Sequence, residues 1–150
     1  MTPVFALCDS YVLRSCELDP VAATYRGVSG DFEPGTDYSP DGYAARAALQ
    51  RETLATLATL PPQGRADELA AAHLRERLEA ELAWYDSGEA LRPLRAPFGL
   101  LQTLRDNLDL MPAQDEQDWT ALLARLRATP DMLAGLRASL AEGEIGRAHV

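Results

Sequence analysis

Apolar side chains along this chain recur at three- and four-residue intervals, and no stretch alternates apolar and polar positions with β-branched enrichment. That is the period of helices packed by one face, not of strands. Over 3–18, Val4, Leu7, Cys8, Tyr11 and Leu18 fall in a narrow arc at about 100° per residue, which predicts an amphipathic helix. Asp19-Pro20 ends it. Pro20 opens a short helical turn through Thr24-Tyr25 that Gly27 closes, and 28–38, interrupted by Gly and Pro, reads as a surface loop. Ser39-Pro40-Asp41 has the grammar of a helix start: a hydroxyl cap, a proline at the first position and a carboxylate in the first turn. That helix runs to Leu60 and stops at Pro61-Pro62, with Tyr43, Ala47, Leu54, Leu57 and Ala58 on its apolar arc. Gln50 sits in the middle of this arc and requires a buried partner or a wet interface.

A third long helix over 65–87 places Ala71, Leu74, Leu78, Leu82 and Tyr85 on one side and Glu68, Arg75, Glu76 and Glu79 on the other, with Gly88 as a left-handed cap. The Leu-dense segment 91–111 is expected to be buried, as an extended entry containing Pro93 and Pro97 and a helix over 98–108. Two further helices are expected over 115–128, with Trp119, Leu122, Leu123 and Leu126 inward, and over 130–142, with Leu133, Leu136 and Leu140 inward. Thr129-Pro130-Asp131 repeats the start grammar, and Gly143 is read as the stop. The fold class is therefore all-α: a multi-helix, largely antiparallel bundle with short connections and no fixed-period repeat.

Composition narrows the function classes. An apolar fraction of 47% over 150 residues supplies one core, and no apolar run approaches the roughly 20 residues that cross a bilayer, so no membrane partner is expected. Net charge is −9, and all 14 cationic side chains are Arg because the chain has no Lys. Such a balance argues against a nucleic-acid surface, which is built on clustered cations. With no basic-then-apolar leader after Met1, a cytoplasmic location is the default. Lys is absent and Asn occurs once, at Asn107, as expected of a GC-rich bacterial genome; the lone Ile, Ile145, lies in the ending. Glu144-Ile145-Gly146-Arg147-Ala148-His149-Val150 reads as an in-frame translation of a short-read sequencing adapter. The expectation is that 144–150 is not native and that 1–143 is the N-terminal helical region of a larger protein.

Little in the residues points to chemistry. Cys8 and Cys16 are separated on one helix by a rise of about 12 Å, too far for a disulfide, and read as core-side thiols in a reducing compartment. His73 lies off the apolar arc of its helix as a solvated or boundary residue; pairing it with Glu76 as a metal site would supply two ligands where catalytic zinc needs three. Gly27-Val28-Ser29-Gly30 has neither the lysine nor the spacing of a phosphate loop, and no Gly-x-Ser-x-Gly occurs. The carboxylates are spread over helix backs, and Trp84, Tyr85 and Trp119 read as core anchors.

The run from Leu18 to Gly27, Leu18-Asp19-Pro20-Val21-Ala22-Ala23-Thr24-Tyr25-Arg26-Gly27, resembles the N-terminal signature of a large bacterial family catalogued as domain of unknown function 885. Further matches follow in the family's order: Tyr38-Ser39-Pro40, Leu78-Glu79-Ala80-Glu81-Leu82, Leu108-Asp109-Leu110-Met111-Pro112, Asp118-Trp119, and Leu122-Leu123-Ala124-Arg125-Leu126-Arg127-Ala128. Members are longer, largely helical, and resemble zinc metallopeptidases whose His-Glu-x-x-His motif lies far downstream. The resemblance implies zinc for the full-length family and none here, a peptide substrate, and a missing C-terminal catalytic region of the same chain as partner. No catalytic, cofactor-binding or metal residue transfers to this sequence, whose implied role is a scaffold walling the cleft. A free-standing acidic helical interaction module, with Gln50 and 91–111 as its contact surface, is the competing expectation.

Overall fold

Cap side chains and prolines decide where the helices begin, as a computed structural model of the chain shows; it describes every residue except 29, 31–33, 95–98 and 146–150 and the side chains of 144 and 145. Helix α1 (Pro3–Leu18) starts where the Thr2 hydroxyl accepts from the Phe5 amide at 3.4 Å, with Pro3 in the first turn. Helix α2 (Pro20–Arg26) is capped by the Asp19 carboxylate, which accepts from the Ala22 amide at 3.0 Å, and ends at left-handed Gly27, φ 66°. In α3 (Pro40–Leu57) the Ser39 hydroxyl accepts from the Gly42 amide at 3.3 Å. Helix α4 (Arg65–Asp86) passes through left-handed Gly88 into a 3-10 turn, Glu89–Leu91. After α5 (Leu100–Leu110), the start of α6 (Glu116–Ile145) is held reciprocally: Asp115 accepts from the Asp118 amide and Asp118 from the Gln114 amide, both at 2.9 Å. All regular structure among the described residues is helical, as the sequence predicts.

Cross-helix pairs give the directions. Gln50 meets Glu81 and Arg51 meets Asp86, while Leu57 packs with Ala71 and Leu74, so α3 and α4 run antiparallel. Thr2 meets Asp67 at one end of α1, and Tyr11 faces Glu81 further along, so α1 lies parallel to α4 and antiparallel to α3. These helices close a first core around Val4, Leu57, Leu74 and Leu78, against which Leu7, Cys8 and Tyr11 pack. A second core joins α2, α5 and α6 through Val21, Leu104, Met132 and Leu136, with Tyr38 from the chain before α3. Beside the second core a polar cluster pins α2. Arg125 donates to the Asn107 Oδ1 at 2.6 Å and to the Pro20 carbonyl at 3.4 Å, and the Asn107 amide donates to the Val21 carbonyl at 2.9 Å.

Departures from the expected elements have identifiable causes. The two helices expected over 115–128 and 130–142 are one helix, α6, with Pro130 inside it. Proline leaves the Leu126 carbonyl without its helical donor, but both residues are exposed, so solvent can take that carbonyl. Gly143 does not stop this helix; it lets the helix approach the 3-10 turn, since a Cβ there would lie 2.7 Å from the Leu91 carbonyl oxygen. Trp119, Leu123 and Leu126 point outward, 57%, 45% and 44% exposed, because buried Arg125 takes the inward face of that part of α6. Segment 91–111 is only partly buried: Leu104 and Asn107 are inside, whereas Leu94, Leu101 and Leu110 are exposed. Phe98, expected in its helix, lies outside the described residues. Helix α3 ends at Leu57 rather than Leu60, with a turn through Ala58 and Thr59.

Candidate functional site

The first core leaves a cleft of about 470 Å³ open between α1, α2, α3 and α4. Its wall joins Tyr11 and Ser15 of α1, Arg26 of α2, Tyr43, Arg46 and Gln50 of α3, and Arg77, Glu81, Trp84 and Tyr85 of α4. Asp19 and Tyr38 complete it from the segments that cap α2 and precede α3. Helical spacing accounts for the clustering: Tyr43, Arg46 and Gln50 fall three and four apart along α3, as do Arg77, Glu81, Trp84 and Tyr85 along α4. Antiparallel packing of α3 on α4 then brings the two rows together.

Hydrogen bonds sort these groups into engaged and available. Glu81 accepts from the Arg77 Nε at 2.6 Å with one carboxylate oxygen and from the Gln50 amide at 2.7 Å with the other. Gln50, half-buried on the cleft wall, thus has Glu81 as the partner its place on the apolar arc requires. Asp19 accepts from the Ala22 amide and, at 2.7 Å, from the Thr36 hydroxyl. Both acidic side chains on the wall are thus engaged. Arg46 donates through one nitrogen to the Asp37 carbonyl at 2.8 Å and stacks over the Tyr43 ring, 4.5 Å from its centroid. Arg26 donates to the Ser15 hydroxyl at 2.8 Å. Among the described residues neither guanidinium has a carboxylate within ion-pair distance.

Burial tunes the phenols. Tyr38, Tyr43 and Tyr11 are all pushed above the ordinary tyrosine range, chiefly because removal from water disfavours the phenolate; nearby Asp19 and Glu81 add to the effect. The wall therefore presents neutral phenols and cationic guanidiniums at physiological pH. Ser15, the hydroxyl at its floor, donates to the Val12 carbonyl at 2.8 Å and has no base beside it among the described residues. Such an arrangement can bind and orient an anion with an aromatic or apolar group attached; it offers no activated nucleophile.

The residues weighed from sequence are placed apart from one another. His73 and Glu76 are both exposed on α4, which makes His73 a solvated residue. Cys8 packs half-buried against the first core and Cys16 is fully buried, both as free thiols. Trp84 and Tyr85 are not core anchors but form part of the cleft wall, and Trp119 is exposed on α6. Sequence reasoning missed the arginines of the cleft. Their visible signal was the three- and four-residue spacing of Arg46 from Tyr43 and Gln50, which reads equally well as an exposed helix face.

No helix among the described residues is long and apolar enough to cross a membrane. Comparison with curated proteins finds no match. The model of one family, described as bacterial protein of unknown function (DUF885), matches residues 20–148, which include α2, α3, α4, α5 and α6. With most of its length so matched, the chain belongs to the DUF885 family.

Proposed function

We propose that this chain is the N-terminal helical scaffold of a zinc-dependent peptidase, forming one wall of its substrate cleft while the catalytic residues lie downstream in the full-length protein. The observation that carries the reading is the cleft itself, a concavity of about 470 Å³ lined by guanidiniums and aromatic rings and without an activated nucleophile among the described residues. Its size is in the range of small-ligand sites, and its groups bind rather than cut. His73 and Glu76 are exposed, and among the described residues no three His, Cys, Asp or Glu side chains come together. The exposed apolar positions of α6 supply the second support, as a face suited to packing on further protein. Free thiols at Cys8 and Cys16 suit a reducing compartment, and we place the protein in the cytoplasm.

A free-standing acidic interaction module is the second reading, favoured by the exposed Leu94, Leu101 and Leu110 of the segment first assigned to its contact surface. Gln50 does not add to it, being bonded to Glu81. Reading the genomic frame beyond Gly143 and expressing the whole gene separates the two. The peptidase reading expects an open frame reaching His-Glu-x-x-His, tightly held zinc and cleavage within a peptide library. It also expects Arg46→Ala to raise KM more than it lowers kcat, as loss of a binding contact does. A frame that stops at this segment, or a full-length product that holds no zinc and cleaves no peptide, overturns it.

A further inference from the structure

Charge bookkeeping inside the cleft goes beyond its role as a wall. Three guanidiniums (Arg26, Arg46 and Arg77) face two carboxylates (Asp19 and Glu81), so the cleft carries a surplus of one positive charge in a chain whose net charge is −9. The surplus is not diffuse. Arg77 is paired with Glu81, and Asp19 is taken up by the cap of α2 and Thr36, which leaves Arg46 and Arg26 with donors to offer. Arg46 is preoriented by its stack on Tyr43 and its bond to the Asp37 carbonyl, so little side-chain freedom is lost when it accepts a ligand. Beside these cations stand Tyr43, Tyr85 and Trp84, an aromatic surface that inorganic anions cannot use.

We infer that the cleft takes a ligand with a free carboxylate next to an aromatic or apolar group, of the size of a short peptide, held at its carboxylate by Arg46 and Arg26. This rests on the proposed substrate wall and names its substrate class. A guanidinium fork matches a carboxylate in plane and in spacing, and a single surplus charge suits a monoanion better than a phosphate dianion. The aromatic wall then selects what the carboxylate is attached to.

Trp84 on the wall is a built-in reporter once the exposed Trp119 is replaced by Phe. Titrating that variant with N-acetylphenylalanine, its primary amide and inorganic phosphate tests the inference on the chain itself. The acid is expected to give a saturable fluorescence change, with affinity about tenfold or more lower for the amide, since a charge-assisted hydrogen bond is lost. Arg46→Gln or Arg26→Gln should weaken the acid by a similar factor, whereas Arg75→Gln, exposed on α4 outside the cleft, should not. Loss in either cleft variant supports the assignment; retention in both overturns it. So do equal binding of acid and amide, displacement of the acid by equimolar phosphate, and absence of any saturable change. Should Arg46→Gln lose helical circular dichroism, Arg26→Gln and the acid–amide comparison decide. Carboxylate binding by the chain with a full-length product inactive on peptides would leave this inference standing and remove the peptidase reading. An active full-length peptidase whose N-terminal cleft ignores the carboxylate would do the reverse.

Discussion

Arg125 is 7% exposed and has no carboxylate partner among the described residues, where it donates to neutral acceptors, the Asn107 side chain and the Pro20 carbonyl. Burial pulls its pKa down, with Tyr38 and Asp19 opposing, and its Nε has no hydrogen-bond partner among the described residues. Cutting Asn107 to Ala would strand the Arg125 Nη1 and take from the Val21 carbonyl, an acceptor within α2, its second donor. We expect it to cost about 2–4 kcal/mol in urea unfolding, and a loss below about 0.5 kcal/mol would show that the pair is not holding α2. The buried phenols make a second residue-scale prediction. Unfolded tyrosines titrate near pH ~10, whereas Tyr38, Tyr43 and Tyr11 keep their protons to higher pH in the fold. Above that pH the unfolded chain binds fewer protons than the native one, so stability is full below it and falls as pH rises through the folded values. Tyrosinate absorbance should resolve late-titrating phenols among the five, and a single common transition with helicity intact would contradict the burial described. Gln50 was legible as a polar side chain in need of a partner. Arg125 was not, because periodicity assigns a charge to the outside by default and cannot see that Asn107 and the Pro20 carbonyl wait across a core.

At the scale of elements, most starts were legible, the one read at Thr129-Pro130-Asp131 excepted, and faces less so. Thr2, Asp19 and Ser39 cap through bonds that span three residues, so the signal lies within one turn of sequence. What lies against a helix is decided by residues far away. Gly135 and Gly143 in α6 illustrate this, for both serve close approach of another segment rather than a helix end. A Cβ at Gly135 would sit 2.8 Å from the Ser39 amide nitrogen, beside the place where the Ser139 hydroxyl donates to the Tyr38 carbonyl at 2.7 Å. Helix propensity favours alanine over glycine by about 1 kcal/mol, but pushing backbone off backbone costs about 1–3 kcal/mol. Gly135→Ala is therefore expected to lower stability despite the better helix former, and a raised melting temperature would show that α6 stands further from the cap of α3 than described.

For the whole molecule, the unresolved tension lies between α6 and water. At about 100° per residue, Trp119, Leu123 and Leu126 fall within an arc of roughly 60°, and all three are exposed. The same alternation that predicted an inward face was correct as a pattern; what the sequence could not say is which apolar face the rest of this segment buries, since Leu136 and Met132 further along α6 supply the second core instead. A continuous apolar stripe of this kind binds hydrophobic dyes and associates when concentrated. Leu123→Gln with Leu126→Gln should reduce dye binding and concentration-dependent sedimentation while changing the melting temperature little, because neither side chain belongs to the cores. If the stripe were buried, the pair would cost several kcal/mol and unfold the chain. A marked drop in melting temperature with unchanged sedimentation would thus return these leucines to the interior and remove the face on which the proposed scaffold packs against further protein.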